Sequence, residues 1–176
     1  MIKLGAKELR ITQAPQELKE QLKKNPVYFI VDNVLDTYNT GSIFRLADSV
    51  AATKVYLCGV TETPPNTRIK KASINTTEWV EWEYVENTTD AIAKLREEVP
   101  NIQIIAVEQS EKSVPFESAP YQFPLALIVS NETNGATPEV LQAADLIVEI
   151  PMWGVNKSLN VMVSLAIVLF QAMQNL

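Results

Sequence analysis

Three short segments hold most of the residues in this chain that could do chemistry. They are Asn39-Thr40-Gly41-Ser42-Ile43-Phe44-Arg45, Ser130-Asn131-Glu132-Thr133-Asn134-Gly135 and the stretch from Pro151-Met152-Trp153-Gly154 to Ser158-Leu159-Asn160. Each sets Asn, Arg or Glu at a helix start or just after an apolar strand. Asn and Ser at a helix start can cap free backbone N–H groups, and the same side chains then border a loop able to hold a ligand. Gly41, Gly135 and Gly154 permit sharp turns or close backbone approach. Arg45 carries a planar five-donor fork suited to phosphate or carboxylate. The chain has no histidine, so the usual general base, the usual zinc ligand and every Ser-His or Cys-His pair are excluded. Cys58 is the only cysteine. It leaves no internal disulfide or cysteine-based zinc site, and at the end of an apolar strand it reads as a small buried hydrophobe. Catalysis therefore falls to Arg, Lys, Glu, Asp, Tyr or a cofactor. Neither a G-x-G-x-x-G nor a G-x-x-x-x-G-K-[ST] run is present, so nothing points to a dinucleotide or P-loop site.

These segments need a scaffold. The 176 residues, 47% apolar and 20% charged, suit one soluble domain. Short apolar strands are expected at 27–31, 54–58, 102–107, 125–129 and 146–150, with an edge strand at 79–84. Helices are expected from Pro15 to Lys24, over 41–50, from Thr88 or Thr89 to 98, from Thr137-Pro138 to near 144, and from Ser158 onward. Residues 108–124 read as a long polar loop. Strands alternating with helices, several of them uniformly apolar, predict an α/β fold with a mostly parallel sheet and helices on both faces. In such sheets ligands bind outside the carboxyl ends of the strands, and the three segments follow strands ending near 31, 129 and 150. The last helix is apolar nearly all round, which predicts a partner chain and a homodimer. The apolar run 159–170 is shorter than the roughly 20 residues a bilayer needs, and no signal peptide is visible, so no membrane association and a cytoplasmic location are expected. Net charge is −6, yet residues 1–71 hold 11 Lys/Arg against 7 Asp/Glu and the rest hold 4 against 14. A polyanion should meet the N-terminal part and the Arg68, Lys70, Lys71 cluster.

Taken together, Asn39-x-Gly41-x-Ile43-x-Arg45, Asn131-Glu132-x-x-Gly135 and Ile150-Pro151-Met152-x-Gly154 with Ser158-Leu159-Asn160-Val161 resemble the three motifs of the SpoU/TrmH family. These are RNA ribose 2′-O-methyltransferases of the SPOUT superfamily. The resemblance spans about residues 27–170 and is to the compact branch, which lacks an added RNA-binding domain. It implies a single SPOUT domain over 1–176, with an N-terminal helical segment (1–25) and a knotted cofactor-binding region (about 125–176) forming a trefoil knot. It implies a dimer through the C-terminal helix, no metal, and S-adenosylmethionine in a pocket lined by Val107, Ser130, Ile150, Met152, Leu159 and Asn160. It implies that Arg45 acts on the ribose 2′-hydroxyl of a tRNA or rRNA, with Asn39, Glu132 and Ser158 positioning the groups around it. Arg68, Lys70 and Lys71 would bind RNA. A guanidinium pKa above about 12 makes Arg a poor base, so Arg45 is expected to orient the hydroxyl and the adjoining phosphate. The family usually has Gly where this chain has Ser130, which opens a second reading: an RNA-binding protein on the same scaffold that has lost its activity. A generic flavodoxin-like domain binding a small anion is a third.

Overall fold

The computed structural model describes residues 3–12 and 14–176; Met1, Ile2 and Gln13, which fall in the segment expected to be helical, lie outside the described residues. In chain order the elements are α1 (Ala6–Ile11), α2 (Gln16–Glu20), β1 (Asn25–Asp32), α3 (Thr37–Ser49), β2 (Ala52–Cys58), α4 (Thr67–Ser73), β3 (Trp82–Val85), α5 (Thr88–Glu98), β4 (Gln103–Val107), β5 (Val114–Pro115), β6 (Leu125–Ser130), α6 (Pro138–Ala143), β7 (Leu146–Glu149) and α7 (Val161–Ala172).

Successive side chains of a strand point to opposite faces, and here both faces are apolar. Phe29, Val31, Leu57, Leu127 and Val129 meet Ile43 and Phe44 of α3 and Leu165, Val168 and Leu169 of α7 in one core. Ile30, Tyr56, Ile104, Ala126 and Ile128 meet Ala91, Ile92 and Leu95 of α5 and Val140 of α6 in the other. The seven strands run in the order β3-β2-β1-β6-β4-β7-β5, and every pairing is parallel. All carboxyl ends therefore lie along one rim. On that rim Asp32 pairs with Ser130, so the loops after β1 and β6 leave the sheet side by side.

The departures from the sequence expectation have local causes. The helix expected from Pro15 to Lys24 stops at Glu20 and is preceded by the separate α1. Helix α3 begins at Thr37 rather than Gly41 because the Asp36 carboxylate accepts from Tyr38 N–H at 2.8 Å and caps the turn. Neither Thr88 nor Thr89 caps α5: Asn87 stands at the cap position, and the Thr88 hydroxyl donates to the buried Asp32 carboxylate. The polar loop over 108–124 contains the two-residue β5, which pairs with β7. Helix α7 starts at Val161, not Ser158, because Asn160 is its cap.

Cys58 is buried, and burial pushes its thiol up to about 12, in keeping with a packing role. Gly41 lies where α3 crosses α4. A Cβ there would come within 2.6 Å of Ala72 Cβ and 2.7 Å of the Ile69 carbonyl. The glycine thus sets how closely α4, with its cationic residues, sits on α3. Among the described residues no helix is long and apolar enough to cross a membrane.

Candidate active site

Three amides and a carboxylate tie the three motif segments together. Glu132, in the loop after β6, accepts from Leu35 N–H at 3.0 Å through Oε2, and from Asp36 N–H at 3.1 Å and Asn39 Nδ2 at 3.0 Å through Oε1. Asn39, buried in the first turn of α3, turns its Oδ1 to Asn160 Nδ2 at 3.0 Å. Asn160 Oδ1 in turn accepts from Met162 N–H at 3.0 Å and Val163 N–H at 3.3 Å, capping α7. Next to Glu132, Asn131 donates to the Asn33 carbonyl at 2.9 Å and accepts from Thr133 N–H and Asn134 N–H, each at 2.9 Å. A loop held this way is pre-organised, which is what a ligand-binding backbone needs. Burial pushes the Glu132 carboxyl upward, but the hydrogen bonds from Leu35, Asn39 and Asp36 outweigh it and hold the group below its ordinary value of 4.5. Glu132 is therefore an anion at neutral pH.

Beside this linkage lies a cavity of about 440 Å³ at the carboxyl ends of β4, β6 and β7. Val107, Ser130, Ile150, Met152, Ser158 and Leu159, each anticipated as a site residue, all line it. Val129 and Val148 add apolar wall. Its volume is within the range of about 300–1,000 Å³ usual for small-molecule and cofactor sites. Gly135 closes one side with a φ of +66°, and a Cβ there would fall 2.6 Å from Glu108 Oε2. The position thus demands glycine both for its backbone and for the close approach.

Some expected residues are placed differently. Asn160 is not in the cavity wall; its amide is committed to the α7 cap and to Asn39. Ser158 lines the cavity, but its N–H and hydroxyl turn to Asn156 Oδ1 at 3.1 and 3.3 Å rather than to the Asn39–Glu132 pair. Arg45 is exposed on α3 and lies outside the cavity wall. Arg68, Lys70 and Lys71 are exposed on α4. Two residues escaped the sequence reading. Glu108 accepts from Ala136 N–H at 3.1 Å and from Gln109 N–H at 2.9 Å, and Gln109 donates to the Lys157 carbonyl. Together they staple the loops after β4, β6 and β7 around the cavity. The available signal was their place directly behind an apolar strand, level with the other motif loops.

A family model, the SpoU rRNA methylase family, matches residues 26–170. This chain belongs to the SpoU family. Among relatives, the tRNA (guanosine(18)-2′-O)-methyltransferase of Aquifex aeolicus is 34% identical over 163 residues, covering 89% of this chain and 74% of the relative. The Escherichia coli enzyme of the same name is 30% identical, covering 81% of this chain and 60% of the relative. The crystal structure of the A. aeolicus TrmH/SpoU tRNA modifying enzyme superposes with a TM-score of 0.78 at 29% identity, covering 96% of this chain and 81% of that one. An rRNA methyltransferase from Sinorhizobium meliloti with AdoMet bound superposes at 0.79 and 28% identity, covering 88% and 58%. Within this SpoU chain, the 440 Å³ cavity is lined by the loops of the second and third motifs and by the segment after β4, and the first motif is joined to its wall by the hydrogen bond from Asn39 to Glu132.

Proposed function

We propose that this chain transfers the methyl group of S-adenosylmethionine to a ribose 2′-hydroxyl of tRNA or rRNA, as a homodimer with a knotted C-terminal region. The observation that carries the reading is the Glu132–Asn39–Asn160 linkage. It locks residues 93 and 121 positions apart in sequence around one cavity in a chain whose relatives methylate ribose 2′-oxygens.

The residues fit the cofactor. Val107, Val129, Ile150 and Leu159 offer apolar surface for an adenine ring, and the backbone of 130–136, fixed by Asn131 and Glu108, offers polar groups beside it. Ser130 and Met152 complete the wall. When bound, the cofactor supplies an electrophilic methyl group on sulfur. The chain's own contribution is geometry: holding donor and hydroxyl in attack alignment removes most of the entropic barrier. Glu132 holds Asn39 and the start of α3 in place. Arg45, clear of the cavity, orients the hydroxyl and its neighbouring phosphate when RNA lies across the dimer. Arg68, Lys70 and Lys71 on the adjoining α4 neutralise further phosphates, which makes affinity fall with salt.

The dimer is supported by α7. Its Val161, Leu165, Val168, Leu169 and Ala172 are buried within the chain, while Val163 and Phe170 are 38% and 52% exposed on another face. Sedimentation across micromolar concentrations should show a two-chain species; a monomer throughout would remove the dimer from this account.

The test of the cofactor site is calorimetric titration of the chain and of its Ser130→Gly variant with S-adenosylmethionine. Ser130 is buried in the cavity wall where the family usually has Gly. Micromolar binding by the native chain is expected, with equal or tighter binding by the variant. Binding by the variant alone would favour the silent RNA-binding reading.

A further inference from the structure

A second cavity, of about 590 Å³, lies at the amino ends of β2 and β3, on the sheet edge away from the cofactor cavity. Its walls include Trp79, Trp82, Pro64 and Pro65, flat surfaces suited to the face of a planar ring. Trp79 is buried, yet its indole Nε1–H finds no acceptor among the described residues. A buried donor left without an acceptor is costly, and it belongs to a side chain of this cavity's wall.

Charge narrows the ligand. Lys19 and Lys70 stand at the cavity, and neither makes an ion pair among the described residues, whereas Lys54 is already paired with Glu83 at 2.6 Å. Free cations beside aromatic faces suit a nucleotide, its base stacked and its phosphate neutralised. Glu78 and Glu81 line the same cavity. They disfavour a bare phosphate and supply acceptors for ring N–H groups. Guanine presents two adjacent donors, N1–H and the N2 amine, to a carboxylate; uracil presents one donor flanked by carbonyl oxygens that a carboxylate repels. Helix α4 extends the cationic surface from Lys70 to Arg68 and Lys71, and it packs on α3, which carries Asn39 and Arg45. A single-stranded segment could therefore run from this cavity over α4 toward the first motif.

We infer that this cavity holds one unpaired guanine nucleotide of the RNA substrate, away from the ribose being methylated. This inference rests on the RNA reading above. Unpaired bases stacked on aromatic side chains and read along their pairing edges are the common mode of sequence-selective RNA recognition.

The test uses the full chain saturated with S-adenosylmethionine and carrying Trp153→Phe, so that its emission comes from Trp79 and Trp82 alone. It is titrated separately with GMP, UMP, ribose 5-phosphate and inorganic phosphate. Saturable quenching by GMP is expected, roughly tenfold or more tighter than by UMP, with no saturation by phosphate. Lys70→Glu, at an exposed position, should weaken GMP roughly tenfold, and Glu78→Gln with Glu81→Gln should narrow the gap between GMP and UMP. No saturable response to any nucleotide, or an equal response to GMP and UMP, would overturn the inference. Cofactor binding and methyl transfer to unfractionated tRNA and rRNA are measured in parallel on the native chain. If both persist while GMP fails, the cavity assignment falls and the proposed activity stands. If transfer fails while GMP binds, the catalytic reading falls, and with it the assignment of the nucleotide to a methylation substrate.

Discussion

Replacing Arg45 by Ala should lower methyl transfer by roughly 100- to 1,000-fold, the usual loss when one positioned donor is removed from a developing charge. S-adenosylmethionine affinity and the unfolding midpoint should stay at native values. The separation follows from the structure: Arg45 is exposed, makes no ion pair among the described residues and does not line the cofactor cavity. Its removal opens no core and takes nothing from the cofactor's walls. Single-turnover transfer assays, calorimetry and denaturant unfolding on one preparation check the three parts. Transfer within a few-fold of native would mean Arg45 does not act on the hydroxyl or its phosphate. A parallel loss of cofactor affinity would mean it acts through the cavity instead.

Glu132→Gln has the second largest expected effect, and of a different kind. The carboxylate accepts from three donors, and a glutamine amide nitrogen cannot accept any. The donors left without an acceptor should cost about 1 kcal/mol of stability. The resulting shift of Asn39 and of the 131–135 loop should lower transfer roughly 100-fold, the scale of an ångström's misplacement near a reacting centre. The stability effect has a pH signature. Glu132 is held below its ordinary 4.5 in the folded chain, so its ionised form contributes stability at neutral pH that is lost as pH falls through the folded value. The stability gap between native and variant should be full at pH 7 and close once pH drops below 4.5. A gap unchanged down to pH 3 would show that the hydrogen-bonded anion is not its source.

The strands were legible in the sequence because a parallel sheet buried on both faces demands uniformly apolar runs, and 27–31, 55–58 and 125–129 supply them. The caps Asn160 and Thr137 could be read from residue type beside an apolar run or a proline. What could not be read depended on contacts across the chain. The early start of α3 rests on Asp36, seven residues before Ile43, where the apolar periodicity begins. Strand β5 is two residues long and exists through its pairing with β7. The three motif segments could be gathered on one rim from strand order alone. Their joining through Asn39 is a matter of side-chain direction, and so is the clamp that Glu108 places on the Gly135 loop. Asn160 shows the same limit: its type marked it as a cap and the resemblance placed it in the cofactor pocket, but its link to Asn39 depends on a contact across the chain.

The product of the proposed reaction is a methyl group on a ribose 2′-oxygen. The most direct measurement is to incubate the chain with unfractionated tRNA and rRNA and S-adenosylmethionine carrying a heavy-isotope methyl group. The RNA is then digested to nucleosides, and the label is located by mass spectrometry. Heavy label is expected in a 2′-O-methylnucleoside, fragmenting with the sugar, and should disappear with Arg45→Ala. Label on a base, or no label in any RNA from a chain that binds the cofactor, would contradict the proposed reaction.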